Sequence, residues 1–285
     1  MKIDDYRLLV ELSKTGTIRS AATNLMISQP AISQRLKHIE RDWGVELFIR
    51  TPKQLLLTPA GEKVVGFAKE MILEERRIRD EVNSLLGEVG GVLSLGVSSV
   101  IGQYVLPPVL EKYIDMYPKV QVNLTTGLSN DLRKNFLDYH IAIIRGEKIN
   151  HQPCQHLFSD RLFLIDLKKF EKQQSNPRPL IAFQGDDVLQ SAVQRWFIEN
   201  DQVLFSQMIK VDQIETCKQL MKSGMGMAVL PETALGDLGE EYTYQPLVMG
   251  GEALTRETWI TYSNNIDKLP QAKAFIDLID SESNK

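Results

Sequence analysis

Gln29, Pro30, Ser33, Gln34 and Lys37 crowd one side of "ISQPAISQRLKHIE", residues 27–40, where a solvated surface would carry mostly Glu and Lys. Their chemistry suits nucleobase edges. A Gln amide offers donor and acceptor together and matches adenine N6 and N7. A Ser hydroxyl bonds several edges, and the Pro30 ring or Ala31 methyl can touch a thymine methyl. Arg35, Lys37 and Arg50 suit phosphates, which fix position without reading sequence. Lys53 could reach an adjacent minor groove. A second set lies further along: Ser98, Ser99 and Val100 at one strand end, Thr126 at another, Arg145 at a third, and Arg256 just ahead of "TWITY". Hydroxyls beside free helix N–H groups make an anion site. A guanidinium fork grips a carboxylate through two bonds.

The first set needs a helix. Ser28 caps it, and Pro30 falls in the first turn, where a missing N–H costs nothing. Ile32, Leu36, Ile39 and Trp43 recur at steps of four, three and four, so the polar residues lie opposite a buried stripe. Two helices precede it. One runs from an Asp4 cap to Lys14 and ends at Gly16; the other starts at Thr17 and holds Ala21, Ala22 and Leu25. Two helices, a tight turn at Met26-Ile27 and a polar third helix describe a helix-turn-helix. "LFIRTPKQLLLTPAG" reads as a hairpin wing that carries Arg50 and Lys53.

From Pro59 onward, Val64, Ala68, Met71, Glu75, Ile78, Val82, Leu85 and Val89 keep an unbroken heptad spacing with one polar member. So long a seam predicts a coiled coil and therefore at least a dimer. Gly87, Gly90 and Gly91 break it. Strands then alternate with helices: "VLSLGV", "GQYVLPPVLEKYIDMYP", "VQVNLTT", "SNDLRKNFLDY", "HIAIIRG". The alternation returns in "LIAF", "VLQSAVQRWFIEN", "QMIKV", "QIETCKQLMKSG" and "MAVLP". Doing so twice predicts an α/β sheet in two similar lobes, with ligands beyond the carboxyl ends of strands.

Composition bounds the function. Residues 1–60 carry a net +3 and the rest a net −7, a basic head for a polyanion on an acidic body. No apolar run of about 18 residues spans a membrane. Asp4, Asp5 and Glu11 interrupt any signal peptide, so a cytoplasmic location is expected. Cys154 and Cys217 make no disulfide framework. "HQPCQH" groups His151, Cys154 and His156 but lacks a fourth ligand, and Pro153 marks a loop, so no metal is expected. Gly224-Met225-Gly226 follows a helix and is no dinucleotide fingerprint. Ser98-Ser99 has no paired His. No catalytic set emerges, and no cofactor is called for.

The head resembles the N-terminal signature of LysR-type transcriptional regulators. The matching pieces are Gly16-Thr17-Ile18 before Ala21-Ala22, Ser28-Gln29-Pro30-Ala31, Leu36 to Glu40, Gly44, Leu47-Phe48 with Arg50, and Thr58-Pro59-Ala60-Gly61. "KSGMGMAVLPE" is similar to the family's Gly-x-Gly before a strand ending in Leu-Pro. One departure stands out: many members carry Arg where Gln34 stands and Gln where Arg35 stands, so the base read by residue 34 would differ.

The resemblance implies a winged helix-turn-helix at 1–58 and a dimerising linker helix and hinge at 59–90. It also implies an effector-binding domain at 91–285, two-lobed like periplasmic binding proteins. Lobe I would hold about 91–161 and 265–285, and lobe II about 162–264. It implies double-stranded operator DNA as partner, a small inducer in the cleft, and a homotetramer built as a dimer of dimers. "KIDDYRLL", "FIRTPKQL", "SSVIGQYVLPPVL" and "DYHIAIIRG" are similar to a citrate-responsive branch. The expected effector is thus a di- or tricarboxylate such as citrate, held at Ser98, Ser99, Val100, Thr126, Arg145 and Arg256. The alternative from the body alone is a solute-binding protein without a transcriptional role.

Overall fold

A computed structural model of the chain describes residues 1–51, 53–84, 89–171, 177–183 and 185–283. It forms two compact units, Met1–Glu88 and Val89–Lys285.

The first unit opens with α1 (Ile3–Thr15), α2 (Ile18–Leu25) and α3 (Gln29–Trp43). Lys2, not Asp4, is the N-cap of α1, because Asp5 reaches back to accept the Lys2 N–H at 2.6 Å. Gly16 ends α1 at φ +65°, where a side chain would be strained. Thr17 Oγ1 accepts the Ser20 N–H at 3.1 Å and starts α2. Leu8, Leu9 and Leu12 of α1 meet Ile32, Leu36 and Ile39 of α3 in one core. Trp43 departs from the expected stripe: it is 41% exposed. It lies in the last turn before Gly44, past the reach of that core, and rests edge-on against Phe67.

β1 (Phe48–Arg50) and β2 (Leu55–Leu57) form the wing, an antiparallel hairpin pairing Phe48 with Leu57 and Arg50 with Leu55. α4 (Pro59–Ser84) follows. Thr58 Oγ1 accepts the Gly61 N–H at 2.9 Å, and a Cβ at Gly61 would strike the Leu47 carbonyl. The heptad seam divides in two. Val64 and Ala68 are buried within this unit, whereas Ile78 and Val82 are 50% and 55% exposed. Leu85 of the expected seam lies outside the described residues.

In the second unit β3 (Gly91–Ser98), α5 (Ser99–Tyr104), α6 (Leu106–Met116), β4 (Val120–Gly127), α7 (Ser129–Lys134) and β5 (Ile141–Arg145) build the first lobe. The expected single helix before β4 is two, because the chain turns at Val105 and Pro107 and Pro108 occupy the first turn of α6. β6 (Cys154–Leu167) starts inside "HQPCQH", so Cys154 and His156 are strand residues; His156 pairs with Glu257 at 2.5 Å. Next come β7 (Arg178–Phe183), α8 (Asp187–Glu199), β8 (Phe205–Val211), α9 (Ile214–Lys222) and β9 (Met227–Pro231). They are followed by β10 (Tyr242–Pro246), β11 (Val248–Met249), β12 (Glu252–Ala253), β13 (Thr255–Tyr262) and α10 (Pro270–Ser283).

Strands follow the path β4-β3-β5-β13-β6-β9-β7-β8, with β10 also on β6. β3 runs parallel to β4 and β5, and β7 runs parallel to β8 and β9. β6 serves both lobes. Cys154–Arg161 pairs with β13, and Leu162–Ile165 pairs with β9. β13 also pairs with β5, so Thr255–Tyr262 belongs to the first lobe rather than to a second lobe reaching 264. The two crossings therefore fall near Arg161–Leu162 and Leu254–Thr255. Among the described residues no helix is long and apolar enough to cross a membrane.

Candidate functional site

The first site is the outer face of α3. Ser28, Gln29, Pro30, Gln34 and Lys37 are exposed and Ser33 is half-buried. Ser28 Oγ accepts the Ala31 N–H at 3.4 Å, which fixes where the helix begins. Arg35 is placed otherwise. Its Nε donates to Asp5 Oδ1 at 2.6 Å and ties α3 to α1. Burial pushes the Asp5 carboxyl up, but the Lys2 N–H and the Arg35 guanidinium outweigh it, and Asp5 sits below the usual carboxylate range. Glu40 Oε1 accepts the Leu47 and Phe48 N–H groups at 2.9 and 3.2 Å, fastening α3 to the wing. Arg50 and Lys53 are exposed on that wing. Met26, in the expected turn before α3, is 92% exposed at φ +55°.

The second site is a cavity of about 690 Å³ within the second unit. Ser98, Ser99, Val100, Arg145 and Arg256 line it; Thr126 does not. Thr126 lies exposed on β4, and its methyl sits against Gly102 instead. Gly127 and Ser129, just beyond the strand, take its place on the wall.

Neither arginine presents a free fork. Arg145 Nη2 donates to Asp160 Oδ2 at 2.5 Å, and Thr233 donates to the same carboxylate from Oγ1 at 2.7 Å and from N at 3.1 Å. Arg256 Nη2 donates to Asp186 Oδ2 at 2.6 Å, while Asp186 Oδ1 accepts the Leu189 N–H at 2.9 Å and caps α8. Arg133 is a third cation close by. It donates to the Arg145 carbonyl at 2.7 Å and to Asn130 Oδ1 at 2.6 Å. Burial pulls the Arg256 pKa down to about 10; Asp186 opposes that shift, and Arg145 and Arg133 add to it. Burial also lowers Arg145, against the pull of Asp160.

Donors nevertheless remain. Ser98 Oγ, Arg145 Nε and Arg256 Nε are buried without a hydrogen-bond partner. A buried polar atom left unpaired costs about 1–3 kcal/mol, and the three belong to residues that line the cavity. Apolar side chains also line it: Leu189, Val193 and Phe197 of α8 pack in one cluster with Leu180 and Phe205. Asp160 and Asp186 escaped the sequence reading. A signal for Asp186 was present, since "GDDVLQ" places Asp before an apolar helical run as a cap does. None marked Asp160.

A winged helix-turn-helix followed by a two-lobed ligand-binding unit defines a class of ligand-controlled DNA-binding regulators. Residues 3–62 match the bacterial regulatory helix-turn-helix protein, lysR family, and residues 86–283 match the LysR substrate binding domain. The chain belongs to the LysR family: it is a DNA-binding transcriptional regulator with an effector-binding domain, not an enzyme. It is 38% identical over 291 residues to the HTH-type transcriptional regulator YkuM of Bacillus subtilis, covering 99% of both chains. It is 34% identical to YraN of the same organism, covering 98% of this chain and 97% of the relative. Among solved structures, full-length CbnR complexed with its target DNA aligns with a TM-score of 0.66 at 17% identity, covering 99% of both chains. A full-length OxyR variant from Pseudomonas aeruginosa gives the same score at 20% identity, covering 99% of this chain and 94% of the other. At these identities both likenesses speak for the fold.

Proposed function

We propose that the effector is a small organic anion, a di- or tricarboxylate such as citrate, and that it docks against Ser98, Arg145 and Arg256. The observation that carries this reading is that three residues lining the cavity, Ser98, Arg145 and Arg256, each hold a buried, unpartnered polar atom. Ser99 and Val100, opening α5, complete the pocket. Thr126 is dropped from it. On the DNA side, Ser28, Gln29, Pro30, Ser33 and Gln34 read base edges, Lys37 and Arg50 hold phosphates, and Lys53 serves the wing. Arg35 becomes a residue that positions α3. Exposed Ile78 and Val82 suit a partner helix in a homodimer, and the assembly is a homotetramer working in the cytoplasm. The anion shifts the balance between lobe arrangements by its differential affinity for them.

The test is calorimetric titration of the full chain with citrate, succinate and acetate, alongside Ser98→Ala. Saturable citrate binding, weakened about tenfold in Ser98→Ala by loss of one hydrogen bond to a charged group, is expected. No saturable binding by any of the three acids refutes the reading.

A further inference from the structure

We propose that Asp186 is an internal counter-ion that competes with the effector for Arg256, and so sets the effector concentration to which the regulator responds. This rests on reading the cleft as an organic-anion site. The two carboxylates at the cleft are held differently. Asp160 is 1% exposed, and three donors from Arg145 and Thr233 fix both its oxygens. Asp186 is 14% exposed, and among the described residues one of its oxygens accepts only from Arg256. Its other oxygen caps α8. Gly146, at φ +87°, leaves the room that Asp186 and Arg133 occupy, since a Cβ there would meet both.

The charges show what the pair does. Arg133, Arg145 and Arg256 lie within charge range of Asp160, Asp186 and Glu147, and of these Arg145, Arg256 and Asp186 line the cavity. An arriving carboxylate beside Arg256 places two anions on one guanidinium. Binding therefore requires Asp186 to yield Arg256 or to tolerate a like charge at short range. Either way the Asp186 charge opposes the ligand. The pair also joins the start of α8 in the second lobe to β13 of the first, so releasing it changes a contact between lobes.

The experiment uses the full chain titrated with citrate by calorimetry. Asp186→Asn and Asp186→Ser both remove the charge and keep a side chain able to cap α8. Each is expected to tighten citrate binding by about tenfold or more, the scale of one unit charge removed at close range with an effective dielectric of about 20. Damage to the fold cannot produce such a gain. Asp187→Asn removes the same charge one residue away on an exposed side chain and is expected to leave affinity unchanged. If wild type binds citrate and neither Asp186 variant binds more tightly, the counter-ion role is overturned while the anion site stands. Equal tightening in Asp187→Asn also overturns it, because the effect would then be a long-range field. If neither wild type nor any variant binds citrate, succinate or acetate, both proposals fail together.

Discussion

Replacing Arg145 with Ala should unfold the second unit more readily before it says anything about ligands. The Arg145 and Asp160 side chains are 3% and 1% exposed. Removing one partner strands the other charge in a medium that cannot solvate it, at a cost of about 3–5 kcal/mol. For a unit of this size that lowers the midpoint by roughly 6–20 °C. Thr233 softens the loss, because its two hydrogen bonds to Asp160 survive, which favours the lower end. The assay is a thermal and denaturant series on the full chain, followed by amide hydrogen exchange in β5 and β6. Arg145→Met combined with Asp160→Asn removes both charges and should recover at least about half of the lost stability, since a buried pair costs most when broken on one side. A single variant that costs under about 1 kcal/mol, or a double variant no better than the single, would refute the argument.

Three further outcomes follow from the first unit. Asp5→Asn should destabilise the helix-turn-helix at neutral pH. The folded-state pKa of Asp5 is depressed, so its contribution is present above the ordinary carboxylate range and lost as pH falls; the gap to wild type should close below about pH 4 in exchange-monitored melts. Gln34→Ala should relax preference at one base pair per half-site by about 1–3 kcal/mol in competition binding, whereas Lys37→Ala should weaken all sequences alike and cut the salt slope by about one. Equal behaviour of the two variants would undo the division between base and phosphate contacts. Ile78→Asp with Val82→Asp should dissociate the oligomer in sedimentation runs; an unchanged mass would move the interface elsewhere.

What could be read before any coordinates was local in origin. Ile32, Leu36 and Ile39 announce a buried stripe because helical geometry brings residues three and four apart together, and Ser28 and Thr17 announce caps for the same reason. Trp43 continued the spacing but not the burial, since periodicity does not tell where a core ends. The placement of β13 is long-range: Thr258 pairs with Arg145 and Phe158, a choice that no neighbouring residue encodes. Ser98, Arg145 and Arg256 came together because strand ends converge in such sheets, whereas Asp160 and Asp186 are partners supplied by distant segments. The arginine positions were legible and their internal acceptors were not, so the forks looked freer than they are.

β6 carries a consequence for how the effector domain can be built or taken apart. Its 14 residues give an edge strand to the first lobe's sheet and an inner strand, between β9 and β10, to the second's. Cutting it strips both sheets of a strand at once and leaves unpaired backbone groups in two separate cores. The two lobes are therefore one cooperative block despite having distinct interiors. They should be lost in a single transition, and neither should survive as an independent fragment. A mutation in one lobe is paid for by the other. Loops and the cavity wall are then the parts free to vary, while the lobes themselves can only be inherited as a pair.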